Sequence, residues 1–211
     1  MKIKNTFLIS LASIAVLAIS CDLDPVAVNT FEDEATWSFP DYAEGVLVNA
    51  YASVPLRFSN YNDNFLDVAT DNAVTNSYGS PIYEVAVSGI SPSTNPVGNW
   101  GTAYNQFRNI HLFLENGLNE KITYNRTDSV ADAEYRQRLK GEAYFLRAWW
   151  GFQLLQQYGG KTDDGRALGY PITTSTPTDE QLNNPKDITR NTYLECVQQI
   201  VADIDTAVVY L

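Results

Sequence analysis

The chain has 211 residues, of which 45% are hydrophobic, and its 25 acidic and 14 basic side chains give a formal net charge of −11. This composition is typical of a folded globular chain rather than a disordered one. An acidic chain without a basic cluster is repelled by phosphate, which argues against a nucleic-acid partner and against a polybasic hold on anionic lipid.

The N-terminus has the layout of a secretion signal. A basic start, Met1–Lys4, precedes an apolar run, Phe7–Ile19, that is shorter than the about 20 residues of a membrane-spanning helix. Leu17–Cys21 resembles a bacterial lipobox. We therefore predict that residues 1–20 are a lipoprotein signal peptide and that lipid on Cys21 anchors the protein without spanning the membrane. An ordinary secretory signal with a chance cysteine is the alternative.

Residues 21–40 are predicted to form the lipidated cysteine and an extended, acidic tether, because Pro25 blocks a helix and no apolar periodicity is present. From Asp41 the pattern changes. Apolar residues recur at intervals of three and four until Pro55, which predicts a first amphipathic helix.

A long polar segment follows, Leu56–Asn99, which is rich in Asn, Asp, Ser, Gly and Pro. Loops of this length in a compact domain usually have a binding function, so we interpret the segment as a functional loop region. Its short β-branched and aromatic stretch, Ile82–Val87, is compatible with a small β-hairpin.

Two strongly periodic helices are predicted next. The first is Trp100–Asn116, with Gly117 as its stop. The second is Ala131–Tyr158, which is apolar nearly all round from Ala143 onward and should therefore be buried by several partners. Gly141 and Gly151 would weaken this helix unless close contacts require small side chains.

A capping-box pattern, Thr192 with Glu195, opens the last predicted helix. Its predicted core face consists of Val197, Ile200, Val201, Ile204, Val208 and Leu211. Because this apolar face still runs at the end of the sequence, we expect the sequence to be the front part of a longer protein.

Seven features of the sequence form a recognisable set. They are Cys21–Pro25, Thr70–Asn72, the pattern of Trp100, Tyr104, Ile110 and Asn116, Ala143–Ala148, Gln157–Gly160, Tyr170–Ile172, and Arg190 with Asp203, Ile204, Ala207 and Leu211. Together they resemble the SusD/RagB-like glycan-binding lipoproteins of Bacteroidota outer membranes.

The resemblance implies a mainly all-α fold, a bundle of tetratricopeptide-like helix pairs with long irregular loops. Residues 41–211 would be the N-terminal part of that helical domain, with its C-terminal half missing from the sequence. It also implies a lipid-anchored, surface-exposed outer-membrane protein. Such a protein captures oligosaccharides and delivers them to a SusC-like, TonB-dependent outer-membrane transporter.

Sugar binding needs aromatic faces that stack on the ring and polar side chains that replace water at its hydroxyls. The loop region contains both types. The main candidates are Asp71, Asn72, Asn76, Tyr78 and Tyr83, and the secondary candidates are Arg57, Asn99 and Trp100. For each loop residue, a turn-forming or solvated side chain is the alternative. Trp100 is in phase with Tyr104 and Phe107, which favours a core position for it, and we expect Trp149, Trp150 and Phe152 to be buried scaffold.

No constellation typical of catalysis or of a cofactor is recognisable, so a non-enzymatic protein without a metal is predicted. His111 has no second ligand at zinc spacing, which favours core packing. With Cys21 assigned to lipid, Cys196 is expected to be a half-buried apolar residue without a disulfide. The competing function is a helical-repeat lipoprotein scaffold whose ligand is another protein.

Overall fold

The computed structural model describes residues 33–54, 66–79, 81–87, 89, 91, 95, 98–184 and 188–211. The predicted signal peptide, the lipidation site Cys21 and the candidate Arg57 lie outside the described residues.

The described chain is mainly helical, as predicted. In chain order its elements are α1 Asp33–Thr36, α2 Pro40–Ala52, a 3₁₀ turn Leu66–Ala69, α3 Pro81–Ala86, α4 Trp100–Leu112 with a π-helical turn Phe113–Gly117, α5 Ser129–Tyr158, β1 Gly160–Lys161, β2 Ala167–Leu168, α6 Asp179–Asn183 and α7 Tyr193–Tyr210. Within the predicted tether, α1 forms one helical turn where extended chain was expected.

Helix α5 is the centre of the bundle and packs against α2, α4 and α7. It begins at Asp128, whose carboxylate accepts from the backbone N–H groups of Val130 at 2.8 Å and Ala131 at 3.2 Å. Its second half is buried on several sides, as the full burial of residues such as Trp150 and Leu154 shows. The sequence-based prediction for this helix is confirmed.

Small residues on α5 permit its close contacts. A methyl group added at Gly151 would collide with the hydroxyl of the buried Tyr170, and one added at Gly141 would lie 2.9 Å from the Leu211 side chain. The prediction that close contacts require small side chains at these two positions is therefore confirmed.

The α5–α7 contact contains a buried ion pair. Arg147 donates from Nε to Oδ2 of Asp203 at 2.9 Å and from Nη2 to Oδ1 at 2.5 Å, and Gln199 donates to the same carboxylate at 3.0 Å. Both charged residues are buried.

The buried face of α7, which includes Asp203 of this pair, matches the predicted core face only in part. The buried positions of α7 are Cys196, Ile200, Asp203 and Ala207, whereas Val201, Ile204, Val208 and Leu211 of the predicted core face are exposed. The predicted core face is right for Ile200 and for Val197, which is partly buried against the core, and wrong for the other four residues. Cys196 is fully buried rather than half-buried.

A small antiparallel hairpin is present, but outside the predicted loop region. It pairs Gly160 with Leu168 and Lys161 with Ala167, and Gly165 turns the chain with a positive φ of 86°. The Ile82–Val87 segment forms most of α3 instead. Pro81 at the first helical position explains this, because its fixed φ suits a helix start and its missing N–H removes no helical hydrogen bond there.

Candidate functional site

The loop before α3 is folded by its own threonine side chains. The Thr70 hydroxyl donates to the Asp67 carbonyl at 2.8 Å and accepts from the N–H of Asn72 at 3.2 Å. The Thr75 hydroxyl accepts from the N–H of Ser77 at 3.1 Å. Such side-chain-to-backbone turns hold the segment in shape without a regular element.

An aromatic pair forms where this loop meets α3. Tyr78 is 73% exposed, and its ring meets that of the half-buried Tyr83 edge to face at 5.2 Å between centroids. Tyr83 lies on α3, which packs on the 3₁₀ turn. One ring is therefore held by a packed helix while the other presents its surface to solvent.

Beside this pair lies an open cleft of ≈ 660 Å³. It is lined by Asp67, Val68, Ala73, Val74, Thr75, Asn76 and Tyr78. The structure thus brings together three of the predicted residues, Asn76, Tyr78 and Tyr83. Asp71 and Asn72 are exposed on the same loop but do not line the cleft.

Besides Thr75, two cleft residues that are not among the predicted sugar-binding residues offer complementary chemistry. Asp67 supplies a carboxylate, and Val74 is an almost fully exposed apolar side chain. An isolated valine within a polar segment is the sequence signal that could have identified the second.

The secondary candidates Asn99 and Trp100 belong to a different cluster, at the start of α4. The Tyr158 hydroxyl accepts from the backbone N–H groups of Asn99 at 3.0 Å and Trp100 at 3.2 Å, so it caps this helix. The Asn99 side chain is buried and is not available to a ligand on the surface.

Trp100 is 37% exposed rather than a core residue, because its ring lies at the edge of an aromatic cluster. It meets Tyr158 edge to face at 5.0 Å and lies tilted over Tyr104 at 5.2 Å. Phe152, also expected in the scaffold, is 50% exposed, whereas Trp150 is buried as predicted.

His111 is a core residue, as predicted. It is buried and stacks on Phe107 with 6.2 Å between ring centroids. Burial, reinforced by the Arg147 charge, lowers the pKa of His111 to about 4, so the imidazole is neutral near pH 7. Among the described residues, no group of three or more His, Cys, Asp or Glu side chains is arranged to hold a metal ion.

A family model described as "Starch-binding associating with outer membrane", a SusD-like model, matches residues 31–211. The chain belongs to this SusD-like family. A search of curated proteins found no match. The crystal structure of a SusD-like protein from Bacteroides fragilis NCTC 9343 is similar to this chain with a TM-score of 0.64 and 21% identity. The similarity covers 86% of this chain and 31% of that one, so the SusD-like chain corresponds to about a third of the solved protein.

The solved structure shows that the helical bundle is a SusD-like fold. Among the described residues, no helix is both long and apolar enough to cross a membrane. The family description associates its members with the outer membrane and with starch binding.

Proposed function

We propose that this SusD-like chain is a lipid-anchored outer-membrane protein that captures oligosaccharides and delivers them to a TonB-dependent transporter. The observation that carries the proposal is the pair of the exposed Tyr78 and the half-buried Tyr83 beside the cleft at Asn76, in a chain of a family described as starch-binding. A solvent-facing tyrosine backed by a second ring offers a flat apolar face to the C–H face of a pyranose.

The polar groups of the cleft suit a sugar's hydroxyls. The Asn76 amide both donates and accepts, the Asp67 carboxylate accepts, and the Thr75 hydroxyl does either. The cleft volume lies within the usual range of small-ligand sites. Because the chain carries a net charge of −11, we expect neutral glycans rather than anionic ones.

The proposal is binding without catalysis. Glycoside hydrolysis usually needs two carboxyl groups on either side of the scissile bond. Among the described residues that line the cleft, Asp67 supplies the only carboxyl group. The cleft therefore suits a ligand that is held and released unchanged.

A lipid anchor would make even weak binding of an oligosaccharide useful. Lipid on Cys21 and a short acidic tether would keep the binding domain on the outer membrane, close to the transporter. A tethered binding site has a high effective concentration at its partner, which compensates for a modest affinity for sugar. We also propose that the domain faces the cell exterior, where polysaccharide is found.

A glycan array tests the binding function. The purified chain should bind at least one class of neutral oligosaccharide, and Tyr78→Ala and Tyr83→Ala should each weaken this binding while helix content is retained. Tyr42→Ala is the matched control, because Tyr42 is another exposed tyrosine, on α2, outside the cleft. Unchanged affinity in both loop variants would show that the site is misplaced, and an empty array would contradict the function itself.

The anchor and location are tested separately in cells. Labelled fatty acid should be incorporated into the wild-type protein and not into Cys21→Ser, and protease added to intact cells should digest the wild type. Labelling of the serine variant would refute lipidation at Cys21, and full protease resistance would refute surface exposure.

A protein-binding scaffold is the competing function, and the exposed apolar residues Val201, Ile204 and Val208 on α7 favour it. The genomic neighbourhood discriminates between the two. A gene for a plugged outer-membrane barrel beside this one supports glycan capture, whereas absence of both that gene and glycan-degrading enzymes supports the scaffold.

A further inference from the structure

A second cavity lies in the groove between helices α2 and α5. Its volume is ≈ 420 Å³, and its lining residues are Tyr51, Ala52, Val54, Phe145, Leu146 and Trp149. None of them lines the cleft at Tyr78. Half of this lining is aromatic, from three residues that two different helices bring together.

The rings are available to a ligand. Phe145 is 45% exposed and Tyr51 is also exposed, whereas Trp149 is half-buried and contacts the fully buried Trp150 edge to face at 5.0 Å. The floor of the cavity is therefore rigid, because Trp149 is fixed by the core, while the two outer rings face solvent. Exposed aromatic side chains at one concave site are costly to leave in water and indicate a ligand.

The polar side-chain groups of the lining are the Tyr51 hydroxyl and the Trp149 indole N–H. Burial and the adjacent Glu142 carboxylate raise the pKa of the Tyr51 hydroxyl. Glu142 is itself 3.5 Å from Arg138, measured from Oε1 to Nε. Glu142 and Arg138 do not line the groove, and because their opposite charges pair with each other they bring no net charge close to it.

These properties fit a neutral sugar better than a peptide. A groove for an amphipathic helix must extend along several turns and accept anchors at regular helical spacing. This cavity instead has the volume of a small-ligand site, and its lining combines three aromatic rings with the Tyr51 hydroxyl and the Trp149 indole N–H. That combination matches a pyranose, which has an apolar C–H face and a polar rim.

We propose that the α2–α5 groove is a second saccharide-binding site, in which a pyranose ring of a neutral oligosaccharide stacks on Phe145 and Tyr51. The inference rests on the proposed function, since it takes glycans as ligands of this chain. Two separate sites on one chain would hold a long glycan at two points and strengthen its overall retention.

Hydroxyl-radical footprinting tests this site residue by residue. The purified chain is oxidised alone and in the presence of maltoheptaose, laminarihexaose, xylohexaose, mannohexaose or an inulin-type fructan. At least one of these probes should protect both Tyr51 and Phe145 from oxidation. If none of the five protects these two residues, the inference is overturned, whatever happens at Tyr78 and Tyr83.

The same measurement separates this inference from the proposed site. Protection of Tyr78 and Tyr83 alone would support the proposed cleft and refute the groove. Protection of Tyr51 and Phe145 alone would support the groove and refute the cleft as the sugar site.

A matched pair of variants then tests the stacking contact. Phe145→Ala should weaken groove binding about tenfold, which corresponds to roughly 1.4 kcal/mol, an amount within reach of one aromatic contact. Phe152→Ala is the control, because Phe152 is 50% exposed on the same helix but does not line the groove. Phe145→Trp should retain binding. Equal affinities for Phe145→Ala and Phe152→Ala would overturn the proposal, and the footprint of the wild-type chain decides it if Phe145→Ala does not fold.

Discussion

Removing one partner of the buried Arg147–Asp203 pair should cost more stability than any other single polar change in the bundle. The substitution Asp203→Asn keeps the shape of the side chain but removes its charge. The Arg147 guanidinium then stays charged without a carboxylate partner. Because its side chain is only 9% exposed, water cannot replace that partner well. An uncompensated buried charge typically costs about 3–5 kcal/mol.

That loss is a large part of the total stability of a domain, which is roughly 5–15 kcal/mol. For a domain of this size each kcal/mol shifts Tm by roughly 2–4 °C, so we expect Tm to fall by roughly 6–20 °C. Urea denaturation followed by circular dichroism measures the free energy of unfolding, and thermal unfolding gives Tm. The control is Asp205→Asn, which changes the same charge on the same helix at an exposed position and should alter stability by less than about 0.5 kcal/mol.

A double substitution distinguishes the lost pair from general damage to the core. Replacing both partners, as in Arg147→Met with Asp203→Leu, leaves no buried charge and should recover most of the stability. If Asp203→Asn lost less than about 1 kcal/mol, or if the double variant were no more stable than the single one, the assigned role of the pair would be refuted.

Three further predictions concern the core and the helix ends. Gly151→Ala should destabilise the bundle by roughly 1 kcal/mol, because the collision with buried Tyr170 outweighs the gain in helix propensity. Gly101→Ala, whose new methyl group meets open space, should instead be neutral or stabilising by up to about 1 kcal/mol in the same denaturation assay. Tyr158→Phe removes the acceptor for two N–H groups of α4 and should cost about 1 kcal/mol, with lower helix content at elevated temperature. His111 is held neutral with a pKa of about 4, so the unfolded chain binds its proton more readily and stability should fall as pH drops from about 6.5 to about 4.

Each of these has a decisive comparison. Equal effects of the two glycine substitutions would contradict the close contact at α5. An unchanged melting curve for Tyr158→Phe would mean that water replaces the hydroxyl at no cost. For His111, the slope of unfolding free energy against pH between about 4 and 6.5 is measured in the wild type and in His111→Leu. Identical slopes would assign the acid sensitivity to other groups.

Much of the fold could be predicted from local sequence signals. The capping box of Thr192 and Glu195 forms as expected, with the Thr192 hydroxyl accepting from the N–H of Glu195 at 3.2 Å. Helix α5 runs to Tyr158, and glycine follows it directly. These features depend on residues within one or two turns of each other, so periodicity and capping chemistry describe them well.

The candidate site could be predicted only in its composition. The sequence indicated exposed tyrosines with Asn and Asp in one loop region, and the structure places Asn76 and Tyr78 on one cleft with Tyr83 against Tyr78. Asn99 was predicted as a ligand-binding residue but is buried, because Tyr158, 59 positions away, covers the start of α4. No local pattern contains that contact.

The helical class and the positions of the main helices follow from the order of neighbouring residues, so they can be predicted without any long-range contact. Which face of α7 is buried depends instead on a long-range contact, since Arg147 pairs with Asp203 across 56 positions. The tertiary structure also decided which aromatic rings share a surface. Tyr51 and Phe145 come from helices far apart in the chain and meet at one groove because packing against a common core places them there.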